Sequence, residues 1–198
     1  METAVDYLPL YVFPPIEFVS AMINSEKPVV SIGERFEKQT FRSRFEIAGP
    51  NGRQMLSIPL DHKSTHASTS EVIIDQKNNW QVKHWRSIET AYRKAPFFEF
   101  YAHYFEPQFT RKYYLLSEMS LECLHIVLRI LKLKNELWLN TDFMPTVKLP
   151  YISATVKYNQ VFIDKNGFLP RLSILDLIFN EGPLSMEKLK SEDYQDSL

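Results

Sequence analysis

The sequence predicts a mixed α/β fold in which an N-terminal βαβ unit and a β-hairpin form a mixed sheet, with a helical C-terminal half packed against it. The first observation is a succession of strand, helix and strand patterns within residues 8–32. The second is an Asn-Gly pair between two alternating runs, and the third is a change to helical periodicity from Trp80 onward. We expect a single domain over residues 1–183 and an acidic, mobile tail over residues 184–198.

The N-terminal unit begins with the apolar residues 8–14, which have the length of a short strand and end at a Pro-Pro pair. Pro15 suits the first turn of a helix, where its missing N–H is not needed, and the residues up to Ile23 have amphipathic helical spacing. Residues 28–32 form a second apolar strand. Elements of this length predict two parallel strands, and such units bind ligands at the carboxyl ends of their strands.

A hairpin is predicted for residues 42–60, because alternating runs flank a segment that is dense in turn-forming residues. Its Asn51-Gly52 pair is a strong short-range hairpin signal. The polar residues 61–70 have no periodicity and predict a mobile loop, after which residues 72–74 predict a short strand.

The C-terminal half shows helical spacing. One helix begins at Trp80 and ends or kinks at Pro96, and its apolar stripe carries Trp85, Ile88 and Tyr92. The other predicted elements are an aromatic-rich helix over residues 97–107, a long helix over 115–133, a strand at 137–139 and a helix over 172–179.

Charge and composition argue against several classes of protein. The net charge is −1, whereas nucleic-acid binders usually carry a basic domain, so we expect no nucleic-acid partner. No apolar run reaches the roughly 18 residues of a membrane helix, and the N-terminus lacks the basic region of a signal peptide. Cys123 is the single cysteine, so no disulfide forms within the chain and we expect a cytoplasmic protein without a membrane partner.

Familiar catalytic and cofactor motifs are absent from the sequence. Its five glycines form neither a phosphate-binding loop nor a dinucleotide fingerprint, so the sequence indicates no particular cofactor. His62 and His66 are four residues apart, but they lie in a loop rich in serine and threonine rather than on a helix. We therefore predict no metal site.

Two segments, residues 35–44 and 83–94, combine basic and aromatic side chains densely. Arginine suits bidentate recognition of carboxylate or phosphate, and histidine suits acid–base catalysis near neutral pH. On a helix His84 and Lys94 fall on one stripe, so a ligand along this face would meet both. Two structural alternatives stay open. A basic run is most often the solvated face of a helix, and His84 beside a tryptophan also suits a partly buried histidine.

The same segments resemble the WbqC family of bacterial proteins, and the resemblance extends from about residue 8 to residue 183. Its most specific part is Lys83-His-Trp-Arg-Ser-Ile88 followed by Ala91-Tyr-Arg-Lys-Ala-Pro-Phe-Phe98. Further similar motifs lie in residues 8–15, 36–47, 49–52, 56–59, 158–160 and 168–182. Two departures are present: Leu8 stands where the family has an opening Gln, and the stretch between Trp138 and Tyr158 is shorter than in many members.

The resemblance implies a link to bacterial surface polysaccharides, within a family of no established activity. It also implies that residues 35–44 and 83–94 face one cleft. The leading hypothesis is an acyl or aminoacyl transferase of surface-glycan metabolism that acts on a small anionic molecule bearing phosphate or carboxylate. In this hypothesis His84 is the general base, Tyr92 orients the substrate, and the ligand-binding candidates are Lys38, Arg42, Arg44, Arg86, Lys94 and Asp176.

Alternatives to this hypothesis stay open, including whether the protein is an enzyme. The alternative role for Asp176 is structural: a carboxylate on a helix that pairs with a nearby arginine. The alternative function is that of a non-catalytic interaction protein, which would bind its partner through the aromatic-rich residues 97–109. Convergence of His84, Arg42 and Arg44 in one concave pocket would favour an enzyme, and a scattered arrangement would favour the interaction protein.

Overall fold

The computed structural model describes residues 6–133, 137–148 and 156–190, and it has the predicted mixed α/β fold. The strands are β1 (Asp6–Pro9), β2 (Pro28–Ser31), β3 (Arg44–Gly49), β4 (Gly52–Ser57) and β5 (Trp138–Asn140). The helices are α1 (Ile16–Asn24), α2 (Trp80–Tyr92), α3 (Phe98–Phe105), α4 (Pro107–Thr110), α5 (Leu116–Ile130), α6 (Ile163–Asn166), α7 (Ile174–Glu181) and α8 (Ser185–Lys190).

The predicted βαβ unit is confirmed. β1 and β2 run parallel, with Leu8 opposite Val30 and Pro9 opposite Ser31, and α1 connects them. β5 adds to the other edge of β2, again in parallel. The carboxyl ends of the three strands therefore meet at one edge of the sheet, where the Asn140 amide donates a hydrogen bond to the Ser31 hydroxyl at 3.2 Å.

The predicted hairpin is present, but it forms its own two-stranded sheet and does not join the parallel strands in a mixed sheet. β3 and β4 pair antiparallel as far as Gly49 opposite Gly52. Gly52 has a φ of +104°, a conformation that favours glycine at a tight turn. The Ser173 amide donates to the Glu46 carbonyl at 2.8 Å, so another segment occupies the edge of β3 that a mixed sheet would need.

The polar residues 61–70, predicted as a mobile loop, contain one 3₁₀ turn and the start of a second, at Ser64–His66 and Thr69–Glu71. The backbone amides of residues 69 and 70 donate to carbonyl oxygens just beyond β2, at 2.9 and 2.8 Å. Residues 72–74, predicted as a strand, make isolated bridges to other segments instead. The backbone hydrogen bonds of residues 69 and 70 therefore connect the polar segment 61–70 to the parallel sheet.

α7 lies at the centre of the hydrophobic core. Its residues 174–180 are all buried. The Phe179 ring contacts those of Tyr92, Phe98 and Phe105 at centroid distances of 5.1, 5.1 and 5.6 Å. Burial of a large apolar side chain contributes about 1.5–3 kcal/mol to folding. This aromatic cluster therefore fixes α2 and α3 against α7.

α8 extends the packed domain to Lys190, beyond the boundary at residue 183 that the sequence predicts. Leu189 is fully buried, and its carbonyl accepts a hydrogen bond from the Ser20 hydroxyl of α1 at 3.4 Å. The first part of the predicted tail therefore belongs to the core, while its residues 191–198 lie outside the described residues. None of the described helices is long and apolar enough to cross a membrane.

Candidate functional site

A cleft lies between the tip of the β3–β4 hairpin and the exposed face of α2. It consists of two adjoining cavities of about 590 and 640 Å³, which share Pro50, Arg86 and Thr90 as lining residues. Residues 161–162 complete the first cavity, and the hairpin tip, residues 49–55, completes the second. Cavities of this size suit small-molecule ligands. We call this site the hairpin–helix cleft.

Hydrogen bonds from α6 hold the hairpin tip in place. Lys165 Nζ donates to the Pro50 carbonyl at 2.6 Å, and the Asn166 side-chain amide donates to the Gly49 carbonyl at 3.1 Å. These donors lie 115 and 117 positions later in the chain than their acceptors. The cleft therefore takes its shape only when the C-terminal part of the domain is packed.

The α2 wall of the cleft is basic. It presents Arg86 and the carboxylate of Glu89 on the helix itself, and Arg93 and Lys94 directly after its last residue. Arg93 and Glu89 form an exposed i, i+4 ion pair at 3.6 Å, a type of contact worth about 0.3 kcal/mol. Neither Arg86 nor Lys94 makes a side-chain hydrogen bond or an ion pair with any residue that the structure describes. Within the described part of the chain, the donors of both cations therefore remain available.

Arg86 and Lys94 are the predicted ligand-binding residues that the structure brings into this cleft. They are eight positions apart in the chain, with Arg86 within α2 and Lys94 two positions beyond its last residue, Tyr92. A single ligand with two anionic groups, or two separate anions, would match this pair of cations.

Arg42 stabilises the fold instead. Its guanidinium makes a bidentate ion pair with Glu34, with Nε to Oε1 at 2.9 Å and Nη2 to Oε2 at 2.7 Å. Nη2 also donates to the Val147 carbonyl at 2.6 Å, and the Val147 amide donates to Glu34 Oε2 at 2.6 Å. The Arg42 and Glu34 side chains are 2% and 0% exposed. These internal contacts engage the donors that a ligand would need, so the geometry of Arg42 is that of a structural residue.

The other basic residues predicted from the same segment also lie away from the cleft. Arg44 begins β3 opposite Ser57, at the open end of the hairpin, and lines neither cavity. Lys38 is exposed, with its Nζ 3.4 Å from His66 Nε2. The predicted basic residues around position 40 therefore do not share the hairpin–helix cleft with Arg86.

His84 lies on the buried face of α2, inside an aromatic cluster. Its ring centroid is 5.2 Å from that of Trp80, 6.1 Å from that of Phe45 and 6.5 Å from that of Phe109. Its Nδ1 is buried and has no hydrogen-bond partner among the described residues. Burial lowers the pKa of His84 to about 4, so the ring is uncharged at neutral pH. It lines neither cavity of the hairpin–helix cleft.

Tyr92 and Asp176 belong to a buried polar cluster. Asp176 Oδ2 accepts hydrogen bonds from the Tyr158 hydroxyl at 2.6 Å and from the Gln160 amide at 3.2 Å. The Tyr92 hydroxyl accepts from the Ala48 amide at 3.2 Å, and it also helps to stabilise the charged Asp176. Burial raises the pKa of Asp176 to about 6, although the surrounding donors oppose this increase.

The partners of Asp176 are uncharged, whereas the alternative drawn from the sequence pairs it with an arginine. Sequence reasoning missed Tyr158 and Gln160 as polar partners, although both lie in a motif that resembles the family, residues 158–160. Asp176 and Tyr92 are fully buried, and Asp176 Oδ1 lacks a hydrogen bond within the described residues. The cluster therefore faces the core and not the hairpin–helix cleft.

The aromatic-rich residues 97–109, offered as an interaction surface, point largely inward. Phe98, Phe105 and Phe109 are buried core residues, whereas Phe100 is 67% exposed. A partner surface in this segment would therefore depend on Phe100 rather than on a broad aromatic patch.

The described part of the chain contains no cluster of metal-ligating side chains. Within residues 6–133, 137–148 and 156–190, no group of three or more His, Cys, Asp and Glu side chains is placed to hold a metal ion. The hairpin–helix cleft offers mainly nitrogen donors on cationic side chains, which suit an anion.

Comparison with protein-family models agrees with the motifs in the sequence. The model of the WbqC-like protein family matches residues 10–149, a range that includes the hairpin and α2. Residues 158–182 lie beyond the matched range. No curated protein and no solved structure gives a significant match to the chain. The family model covers more than half of the sequence, and the chain therefore belongs to the WbqC-like protein family.

Proposed function

We propose that this protein binds a small anionic molecule in the hairpin–helix cleft and transfers an acyl or aminoacyl group to a sugar in bacterial surface-glycan metabolism. The observation that carries the proposal is that Arg86 and Lys94, on the wall of a cavity of about 590 Å³, engage no acceptor among the residues that the structure describes. A guanidinium group binds phosphate or carboxylate through two parallel hydrogen bonds, and an ammonium group adds a point charge.

The division of the cleft into two cavities supports a reaction between two bound molecules. The first cavity has apolar walls at Ala91 and residues 161–162. The second is lined by the polar side chains of Asn51 and Gln54 at the hairpin tip. Arg86 lines both cavities, so one guanidinium could contact the donor and the acceptor at their junction.

The proton acceptor that we assign to the reaction is Glu89. Acyl transfer breaks the bond between the acyl carbon and its leaving group and forms a new bond to a sugar hydroxyl or amine, whose proton a base accepts. His84 lies on the buried face of α2, whereas Glu89 lines the first cavity. The Glu89 carboxylate lies 3.6 Å from the Arg93 guanidinium, which lines the same cavity.

Calorimetric titration with UDP-glucose and with acetyl-CoA tests the binding step, since both carry phosphate groups. We expect Arg86→Gln to weaken binding about tenfold, because a hydrogen bond to a charged group contributes about 1.5–3 kcal/mol. Lys83→Gln is the matched control, because Lys83 is exposed on the same helix but lines neither cavity. An equal loss of affinity in both variants would show a general effect of charge and would contradict the assignment of the cleft.

Glu89→Gln tests the reaction separately from binding. We expect it to leave the dissociation constant within about twofold and to lower turnover about 100-fold or more, the usual effect of losing a general base. Binding without turnover in the wild type would contradict the transferase part of the proposal. Failure of both compounds to bind would instead favour the non-catalytic interaction protein, for which Phe100 is the first surface residue to mutate.

A further inference from the structure

A second polar groove, of about 410 Å³, lies between α3, α4 and α5. It shares no lining residue with the hairpin–helix cleft. The residues that define it for this purpose are His103, Tyr104, Gln108, Glu122, His125 and Arg129. We call it the histidine groove.

One end of the histidine groove presents nitrogen donors that no acceptor among the described residues engages. The Arg129 guanidinium lies over the Tyr104 ring at 4.8 Å, and the His103 ring lies 4.1 Å from the same ring. These ring contacts fix the side chains but leave their N–H groups unused. Arg129, His103 and His125 make no side-chain hydrogen bond or ion pair with any described residue.

The other end of the groove carries a carboxylate whose charge is already balanced. Glu122 accepts hydrogen bonds from the Tyr113 hydroxyl at 2.5 Å and from Arg111 at 2.7 Å. The Tyr113 hydroxyl also contacts Gln108. Burial and the bond to Glu122 raise the pKa of Tyr113, so its hydroxyl keeps its proton. Each carboxylate oxygen has a second lone pair, so Glu122 can still accept a hydrogen bond from a ligand hydroxyl.

We infer that the histidine groove binds a small hydroxylated carboxylic acid of the sugar-acid type. Arg129 and the two histidines would bind the carboxylate through charge-assisted hydrogen bonds. Glu122 and Gln108 would accept hydrogen bonds from the hydroxyl groups. A volume of about 410 Å³ accommodates a ligand of monosaccharide size. This inference is independent of the proposed transferase, because it uses none of the residues of the hairpin–helix cleft.

The test uses glucuronate as the probe, with glucose and acetate as matched half-ligands. Glucose lacks the carboxylate and acetate lacks the hydroxyl groups. Histidine-ring ¹H–¹⁵N NMR spectra are recorded at about pH 6, near the ordinary histidine pKa. We expect glucuronate to shift the ring signals of His103 and His125 and to leave those of His62 and His66, which do not line the groove, in place.

Arg129→Gln should weaken glucuronate binding about tenfold, because it removes the charged donor from an exposed position without disturbing the core. His125→Gln, which replaces the imidazole ring but keeps an N–H donor, should give a smaller loss. Lys83→Gln, which removes an exposed cation that lines neither the histidine groove nor the hairpin–helix cleft, should bind glucuronate as the wild type does. The inference is overturned if glucuronate leaves His103 and His125 unshifted, if acetate or glucose shifts them equally, or if Arg129→Gln binds normally.

Discussion

Asp176 and His84 give the domain two opposing pH dependences of stability. Burial raises the pKa of Asp176 to about 6 from an ordinary value of 3.8, so the fold disfavours its charged form. The stability that this group contributes is complete below about pH 4 and is lost as the pH rises through 6. Burial lowers the pKa of His84 to about 4 from 6.5, so its contribution is complete above 6.5 and is lost as the pH falls through 4.

The two contributions have similar sizes and opposite signs. A tenfold change in proton affinity corresponds to about 1.4 kcal/mol. The pKa of each group differs from its ordinary value by slightly more than two, which gives about 3 kcal/mol for each. Between about pH 4 and 6.5 the two effects therefore cancel to within about 1 kcal/mol in the wild-type protein.

Single substitutions should reveal each effect. In Asp176→Asn the histidine acts alone, so we expect the free energy of unfolding, relative to the wild type, to fall by about 3 kcal/mol from pH 6.5 to pH 4. His84→Phe keeps an aromatic ring beside Trp80 and Phe45 but does not titrate. Relative to the wild type, its free energy of unfolding should fall by about 3 kcal/mol as the pH rises over the same range.

Urea unfolding at a series of pH values, at constant ionic strength, measures these free energies. The double variant is the control, and its difference from the wild type should be nearly constant with pH. Parallel pH profiles for the wild type and both single variants would refute the reasoning, because they would show that neither buried group has a displaced pKa. A reversal of either slope would refute the assigned sign.

Two further predictions concern stability and are tested by denaturant unfolding. Arg42→Met should cost about 3–5 kcal/mol, because it leaves the Glu34 carboxylate buried without its charged partner, and replacing both residues by Met should recover most of that loss. An equal loss in the double variant would contradict this view of the pair. Gly182→Ala should cost about 2 kcal/mol more than Gly167→Ala. Both glycines have positive φ, but a Cβ at Gly182 would lie 2.4 Å from the Phe97 ring, whereas a Cβ at Gly167 meets no atom within 4 Å. Similar losses in the two variants would rule out that clash.

Local patterns predicted the elements whose contacts are close in sequence. Asn51-Gly52 marked the hairpin, and the change to helical periodicity came at Trp80, where α2 begins. The arrangement of the two sheets depends instead on distant contacts, such as the pairing of Val30 with Leu139. The amide of Ser173 that occupies the edge of β3 comes from a segment more than 100 residues away, and no periodicity encodes such a contact.

For the candidate site, too, the sequence pattern predicted which residues are present but not which distant residues they contact. The basic residues of α2 were predictable as a group, and Arg86 and Lys94 do line a cleft. Successive residues of a helix are rotated by about 100°, so His84 and Arg86 are about 200° apart and face different environments. The sequence also displays the charge of Arg42 without showing that Glu34, eight positions earlier, neutralises it.

The hydrogen bonds from α6 to the hairpin tip connect the completion of the cleft to the order in which the chain is synthesised. A growing polypeptide can form the βαβ unit, the hairpin and α2 before Lys165 exists, and until then the Pro50 carbonyl lacks the donor that fixes it beside the basic wall of the cleft. The cleft is thus among the last features to mature during synthesis. Binding of a small anion would consequently report that the C-terminal segment has docked, and it would stabilise the finished domain over its unfinished precursors.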